Sequence, residues 1–369
     1  MKIGAVILSG GYSSRMDGFK PLMKLGKETL LRRTARLFLK NRINKNTIVV
    51  VTGHRKAEVK AEAGRLGIKS VQNKDYDTGM YSSVCAGVKL MKNVDAFFIL
   101  PVDIPLIRLS TVATLCKSRP KKGVVYPTFL GERGHPPLIS SSLIPAILKF
   151  NGKGGLKALL EKYPGNEIPV WDQGILMDAD CPEDFTSLEK RLLRMDMGSR
   201  EEAKALAQIV MKQRGCDHGF AVADIACTLG RELNQNGYML DLDLLFNSGL
   251  LHDIAKGEPH HEERGAKILG HLGLTRLAGI VGVHRDMTVP KSGKLSEKEL
   301  VCLADKLVRG TTKMPVKKRF EEKLTLYTKD PEACKAIKRR LANAKELERI
   351  VVSCLGRTIE DVLNMEKSR

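Results

Sequence analysis

The chain has 369 residues, 43% of them hydrophobic, enough for two domains with real cores and too many for a disordered protein. Its formal net charge of +20 is spread over both halves, so any pull on polyanions is general rather than confined to a tail. Aromatics are 5% with no basic-aromatic interleaving, so nucleic acid is not an expected partner; the apolar runs are too short and charge-broken for a membrane span.

Ala5 to Leu8 is an apolar run of strand length, ended by Gly10 and Gly11. Ser13, Ser14, Arg15 and Lys20 follow before the next helical pattern. Glycines that expose backbone N–H groups and permit φ > 0, beside hydroxyls and two cations, make an anion cradle. An ordinary strand-to-helix turn would carry some of the same residues. Thr29 to Phe38 has helix-spaced apolar residues, Thr47 to Thr52 is a β-branched strand, Ala57 to Leu66 is helical and Ile68 to Val71 is a short strand. Asp77 to Gly87 is a Gly-Ser segment leading into a helix through Met91. Ala96 to Leu100 is a strand running into Pro101 to Pro105. This alternation predicts a three-layer α/β domain with a mostly parallel sheet, whose ligands bind at the carboxyl ends of the strands.

Asp103 stands at such an end, stiffened by Pro101 and Pro105, where a carboxylate can hold Mg²⁺ against nucleotide phosphates or simply close an Asx turn. Asp178 and Asp180 alternate along a segment expected to be extended, and Pro182 opens a helix whose first turn carries Glu183 and Asp184. Asp180 is the candidate for a second metal ligand.

These residues carry a resemblance. LSGGYSSRMDGFKPL, from Leu8 to Leu22, resembles the LxxGxSxRMGxxKxL signature of MobA-like nucleotidyltransferases. Gly79 to Ser83, Pro101 to Pro105, Gly134 to Pro136 and Asp180 to Asp184 match later motifs in order. The Gly-x-x-Ser-Ser and Arg-Gly-His-Pro elements resemble the molybdenum cofactor cytidylyltransferase branch more than the guanylyltransferase branch. Asp17 departs from the pattern, which has glycine there, and Ser9 stands where alanine is frequent. The resemblance implies that Leu8, Ser9, Gly10, Gly11, Ser13, Ser14, Gly79, Ser82 and Ser83 bind the nucleotide. Arg15, Lys20 and Asp103 would be catalytic, and Asp103 and Asp180 would hold Mg²⁺.

After Met197 to Arg200, the expected linker, the pattern is helical throughout. Gly249 to Lys256 reads as an apolar helix carrying the adjacent pair His252 and Asp253, and burying both without partners would be costly. A metal resolves that cost, because it accepts imidazole and carboxylate together. His218, His261, His284 and Asp305 complete an ordered set; His260 competes with His261, which the spacing to Gly265 favours. His54, His135 and His271 read as turn or surface residues.

The set resembles the H…HD…H…H…D pattern of HD-domain metal-dependent phosphohydrolases. By that resemblance His218, His252, Asp253 and Asp305 bind a first divalent Fe, Mn, Mg or Zn ion, and His261 and His284 fit a second. Lys256 would neutralise substrate phosphate or remain solvated. Residues 311–369 show helical spacing without visible chemistry, as helices packed on the core or an oligomerisation arm.

The expected organisation is therefore a nucleotidyltransferase domain over 1–192, a linker over 193–200, an all-α HD domain over 201–330 and a helical extension over 331–369. The expected function is Mg-dependent transfer of a nucleotide, CTP favoured, to molybdopterin or a related phosphate, with a partner molybdoenzyme as a further expectation. The alternative is a sugar- or alcohol-phosphate nucleotidyltransferase with the HD domain as a metal or nucleotide sensor. Eight scattered cysteines without CxxC pairing suit reduced thiols and a cytoplasmic location, and the N-terminus has no signal-peptide pattern.

Overall fold

The opening apolar run forms β1 (Ile3–Ser9) in a computed structural model that describes residues 2–118, 120, 122–287, 289–290 and 293–365. The chain divides into two units, Met1–Leu193 and Arg194–Arg369.

In the first unit β1 is followed by a two-residue hairpin, β2 (Lys24–Leu25) and β3 (Glu28–Thr29), and then α1 (Leu30–Lys40). Thr29 caps α1 by accepting a hydrogen bond from Arg32 N at 3.1 Å. The chain continues through β4 (Ile48–Thr52), α2 (Lys56–Arg65), β5 (Lys69–Gln72), α3 (Met80–Val88), β6 (Ala96–Pro101) and α4 (Leu109–Lys117). The rest of the unit is β7 (Val124–Phe129), β8 (Glu132–Arg133), β9 (Leu138–Ser140), α5 (Ile144–Lys149), α6 (Gly155–Leu160), β10 (Gly165–Pro169) and α7 (Pro182–Leu193).

The sheet order is β10-β7-β9-β6-β1-β4-β5, with β8 beside β7. β6, β1, β4 and β5 run parallel, as do β10 and β7, while β9 is antiparallel to both its neighbours. Central strands read as unbroken apolar runs because both faces are covered: Val6 and Ile7 are fully buried, as are Val50 and Val51. Each such side chain contributes about 1.5–3 kcal/mol of burial. Gly87 lets α3 lie close on β1, since a Cβ there would sit 2.3 Å from Val6 Cγ1. That close approach brings the start of α3 to the carboxyl end of β1.

The second unit is helical: α8 (Arg200–Val210), α9 (Gln213–Gln235), α10 (Leu242–Leu251), α11 (His261–His271), α12 (Thr275–Val281) and α13 (Glu297–Lys306). A short hairpin that the helical pattern did not predict, β11 (Val308–Arg309) and β12 (Thr312–Lys313), precedes α14 (Val316–Leu326), α15 (Pro331–Leu355) and α16 (Ile359–Met365). Ser199 and Glu202 form a capping box on α8. α15 packs on α13 and α14. Among the described residues no helix is long and apolar enough to cross a membrane, and all eight cysteines are free thiols.

Candidate active sites

In the first unit the loop after β1 does not run into a helix. The next element is a 3₁₀ turn at Lys20–Leu22, and the next α-helix begins only at Leu30. Gly10 and Gly11 are not at positive φ; the left-handed residue is Ser13, at φ 62°. The glycines serve close approach instead. A Cβ on Gly10 would lie 3.1 Å from Ser83 Oγ, while one on Gly11 would meet nothing within 4 Å. Gly10 O accepts from His54 N at 3.1 Å, and Ser13 Oγ accepts from Lys20 N at 3.0 Å, which folds the loop back on itself.

Lys20 is the meeting point. Its Nζ donates to Asp180 Oδ1 at 2.8 Å and lies 3.6 Å from Asp103 Oδ2, and its side chain is 12% exposed. Arg15, far more exposed, donates to Asp180 Oδ2 at 2.9 Å. The segment bearing Asp178 and Asp180 is irregular rather than extended. It is tied to the end of β6 by Ala179 N donating to Asp103 O at 2.9 Å. Burial raises the pKa of Asp103 against the pull of Lys20, with Asp180 and Asp178 adding to the rise. The hydrogen bond from Lys20 lowers that of Asp180. Two carboxylates thus share one ammonium, with Asp178 near enough to act on them electrostatically. Such a set suits a hard cation, and magnesium takes one or two carboxylates together with substrate phosphates.

Gly79 (φ 110°) precedes α3, so Ser82 and Ser83 lie in its first turns and not in a leading loop. Asn73 Nδ2 donates to Ser82 Oγ at 2.7 Å and Ser83 Oγ at 3.0 Å. Ser9 Oγ is buried with no hydrogen-bond partner. Leu8 is buried, whereas Gly11, Ser14 and Asp17 are exposed on the loop. Tyr12 packs on His54 (ring centroids 5.0 Å) and Tyr76 (5.4 Å), and its hydroxyl donates to Asp77, which raises the Tyr12 pKa. Asn73 and Tyr76 carry no signal in the sequence, and Tyr12 and His54, the latter read as a turn or surface residue, gave no sign of this contact, because they come from separate segments with no shared period.

In the second unit two helices approach closely where both have glycine. A Cβ on Gly219 of α9 would lie 2.3 Å from Leu250 O, and one on Gly249 of α10 would lie 2.7 Å from Ala223 Cα. This sets His218 beside His252, ring centroids 5.1 Å apart. The His252–Asp253 pair is not inside an apolar helix. α10 ends at Leu251, with His252 as its C-cap and Asp253 in the following turn. His261 opens α11, His284 follows α12 and Asp305 lies in the last turn of α13. His260 is exposed.

The four histidines converge on Asp253, and Asp305 meets two of them. Asp253 Oδ2 lies 3.4 Å from His252 Nε2 and 3.9 Å from His218 Nε2; its Oδ1 lies 3.3 Å from His261 Nε2 and 3.8 Å from His284 Nε2. Asp305 Oδ1 is 3.5 Å from His218 Nε2 and 3.7 Å from His252 Nε2. The Nδ1 atoms of His218, His252 and His284 each meet a backbone carbonyl at 2.7–2.8 Å. A carbonyl only accepts, so these contacts place a proton on Nδ1; where the ring is neutral, as burial keeps His284, Nε2 is then a lone pair facing a carboxylate oxygen, whereas against burial the hydrogen bond to Asp305 raises the His218 pKa. His252 Nε2 and Asp253 Oδ1 are buried without a hydrogen-bond partner. Acceptor facing acceptor in a buried site is unfavourable, and a metal cation removes the conflict. The ligand atoms form two compact groups, His218/His252/Asp253 and Asp253/His261/His284, which share Asp253. Burial, and then His252, push the His284 pKa down to about 4, so that ring is neutral and able to ligate.

Cations surround the cluster. Lys256 Nζ donates to Asp253 Oδ2 at 2.8 Å, and buried Lys306 donates to Asp305 Oδ2 at 2.7 Å. Arg319 of α14 donates to Asp305 Oδ1 at 3.2 Å. Residues beyond 311, expected as helices packed on the core, thus also place an arginine on a candidate metal ligand. Helical charge spacing gave no signal to separate Arg319 from a solvated arginine.

Residues 5–167 match the family model of the MobA-like NTP transferase domain, and residues 216–310 match that of the HD domain. The chain joins a MobA-like NTP transferase domain to an HD domain. The transferase half is 28% identical over 194 residues to molybdenum cofactor cytidylyltransferase of Escherichia coli (strain K12), covering 51% of this chain and 96% of that protein. It is also 28% identical over 197 residues to nicotine blue oxidoreductase of Paenarthrobacter nicotinovorans, covering 50% of this chain and 96% of that protein. A solved nucleotidyl transferase from Methanothermobacter thermautotroptrophicus is 23% identical, covering 52% of this chain and 98% of that chain, with a TM-score of 0.46. The cytidylyltransferase and the oxidoreductase, at the same percent identity, are named for different reactions. In the HD domain, Arg319 lies outside the matched span.

Proposed function

We propose that the MobA-like domain is a magnesium-dependent cytidylyltransferase acting on CTP and the phosphate of molybdopterin or a related compound, and that the HD domain is a metal-dependent phosphohydrolase. The observation that carries the first reading is the convergence of Lys20, Asp103 and Asp180 on one point at the carboxyl ends of the strands. The cytidylyltransferase relative supports the choice of nucleotide and acceptor.

An oxygen of the acceptor phosphate bonds to the α-phosphorus of the nucleotide as the bond to the bridging oxygen breaks, and pyrophosphate departs with that electron pair. Such a displacement depends on positioning and charge neutralisation. The N–H groups from Gly10 to Ser14, with Arg15, would hold the β- and γ-phosphates. Lys20 would neutralise charge at the α-phosphate. Gly79, Ser82 and Ser83 would line the base. Asp103 and Asp180 would hold Mg²⁺, which would supply positive charge to offset that of the phosphates.

For the HD domain, the orphaned buried atoms of His252 and Asp253 carry the reading. His218, His252, Asp253 and Asp305 would hold one ion, and His261 and His284 a second. A bound Fe, Mn, Mg or Zn ion would lower the pKa of water and polarise a phosphoryl oxygen. Water oxygen bonds to phosphorus as the ester P–O bond breaks; the leaving oxygen takes one water proton and the other passes to solvent. Lys256 would neutralise phosphate charge.

The test is pyrophosphate release from each NTP, assayed with molybdopterin and with a panel of phosphate monoesters. CTP with molybdopterin should be fastest, and Asp103→Ala should lower that rate at least a hundredfold. Release with a sugar or alcohol phosphate alone would move the acceptor to that class. Metal retention without hydrolysis of any ester would leave the HD domain as a sensor.

A further inference from the structure

Two cavities flank the HD metal-ligand cluster. One, of about 720 Å³, is lined by His218, by apolar side chains that include Val210, Met211, Val308 and Leu326, and by the further cations Lys212, Arg214 and Arg309. The other, of about 380 Å³, is lined by His261 and His284 and is rich in cations. Asp253, Lys256, Arg319 and Lys323 line both. A phosphomonoester has a body on one side of phosphorus only, so one cavity would serve it. Two cavities meeting at the ligand cluster suit a phosphorus with a substituent on each side.

The chemistry of the smaller cavity says what that second substituent is. Lys256, Arg285, Lys306, Arg319, Lys323 and Arg340 surround it. Lys256 is balanced by Asp253, Lys306 and Arg319 by Asp305, Arg285 by Glu262 and Arg340 by Asp286. Among the described residues Lys323 has no carboxylate within ion-pair reach. Asp253 and Asp305, which balance three of these cations, are the carboxylates that a metal would also claim. The excess positive charge then calls for an anion. Crowding of the Lys323 ammonium by protein atoms, and by Arg319, gives the same sign, pushing its pKa down to about 8.

We propose that α14 and α15, which lie beyond the matched HD domain, complete this site with a chamber for a phosphate chain. Its substrate is then an ester of two or more linked phosphates on an apolar or flat body, such as a nucleoside di- or triphosphate, and not a monophosphate. The body lies against Val210, Met211 and Leu326, and the chain passes Arg319 and Lys323 toward Arg340. This rests on reading the HD domain as a phosphohydrolase.

Two measurements on the full-length, manganese-loaded protein separate the claims. Calorimetric titration with inorganic pyrophosphate should reveal two sites: one lost in Lys20→Met, and one independent of Lys20 that Lys323→Met and Arg340→Met each weaken at least tenfold. Lys323 pairs with no carboxylate and Arg339 keeps Asp286 paired, so neither change strands a buried charge. A single pyrophosphate site that vanishes with Lys20→Met overturns the chamber. Turnover of a nucleoside triphosphate, diphosphate and monophosphate is the second readout, with kcat/KM expected at least tenfold higher for the longer chains and that preference reduced at least fivefold by Arg340→Met. Hydrolysis without chain-length preference sinks the chamber and leaves the phosphohydrolase reading standing. A Lys323-dependent pyrophosphate site with no turnover of any ester does the reverse.

Discussion

At the scale of residues, the loop after β1 separates two reasons for glycine. Gly11 has no positive φ, and a Cβ there would project into open space. The fold therefore tolerates alanine, which gains about 0.4–1 kcal/mol through the unfolded chain. A bound triphosphate would not tolerate it. Gly11→Ala should keep or slightly raise the melting temperature while raising KM for the nucleotide at least tenfold; an unchanged KM would remove the loop from the triphosphate site. Asp103 and Asp180 share Lys20 but titrate in opposite directions. Asp103 has a raised pKa, so the folded state binds its proton more tightly, and its contribution to stability falls as pH rises from the ordinary value of about 3.9 through the raised one. Asp180 is depressed, and its contribution is present above about 3.9 and lost as pH falls through the lowered value. Metal binding needs Asp103 ionised. The acid limb of pyrophosphate release should therefore lie above an ordinary carboxylate pKa, and move higher still in Lys20→Met. A pH profile of kcat/KM checks both; a limb below about 3.9 would rule out Asp103 as the group that sets it.

At the scale of elements, the strands and helices of the transferase domain were legible because their apolar periods are clean: Thr47 to Thr52 against β4, Ala96 to Leu100 against β6. What misled was the junctions. The helix after β1 begins where its pattern does, with Thr29 as its cap and an unanticipated hairpin before it, whereas α10 stops at Leu251, just before the His-Asp pair, because hydrophobic patterning marks a buried segment without marking where its hydrogen bonding ends. The α9–α10 contact is the element on which the HD cluster depends. Gly219→Ala would press a methyl on the Leu250 carbonyl, costing about 1–3 kcal/mol and moving His218 from His252. Thermal unfolding should show the loss, and manganese affinity should fall at least tenfold; a stable variant with normal affinity would argue that the helices adjust freely.

On the scale of the whole molecule, the two sites use separate ligand sets, one in each unit, so their chemistry should separate. Asp253→Ala removes the carboxylate common to both ligand groups. It should abolish tight metal binding and ester hydrolysis, yet keep CTP-dependent pyrophosphate release within about twofold of wild type. Stripping metal from the wild type should lower the melting temperature of the HD unit, since the Nε2 and carboxylate acceptors again face one another uncompensated. A chelated protein with an unchanged melt would show that the cluster does not depend on a cation.

The sequence by itself determined the two-part plan, the α/β and all-α classes and most of the residues named at both sites, because ordered motifs of glycine, lysine, histidine and aspartate are local in the chain. Only the tertiary structure decided how those residues meet: that Lys20 meets Asp103 and also Asp180, 160 residues further along the chain from itself, that the two oxygens of Asp253 face different histidine pairs, and that Arg319 closes on Asp305 from a helix with no motif at all. Distance in space and the direction of a lone pair leave no trace in a linear pattern. The glycine loop is the clearest instance: its composition marked a turn rich in exposed N–H groups, while its backbone angles and neighbours separate Gly10, close to Ser83, from Gly11, which faces open space.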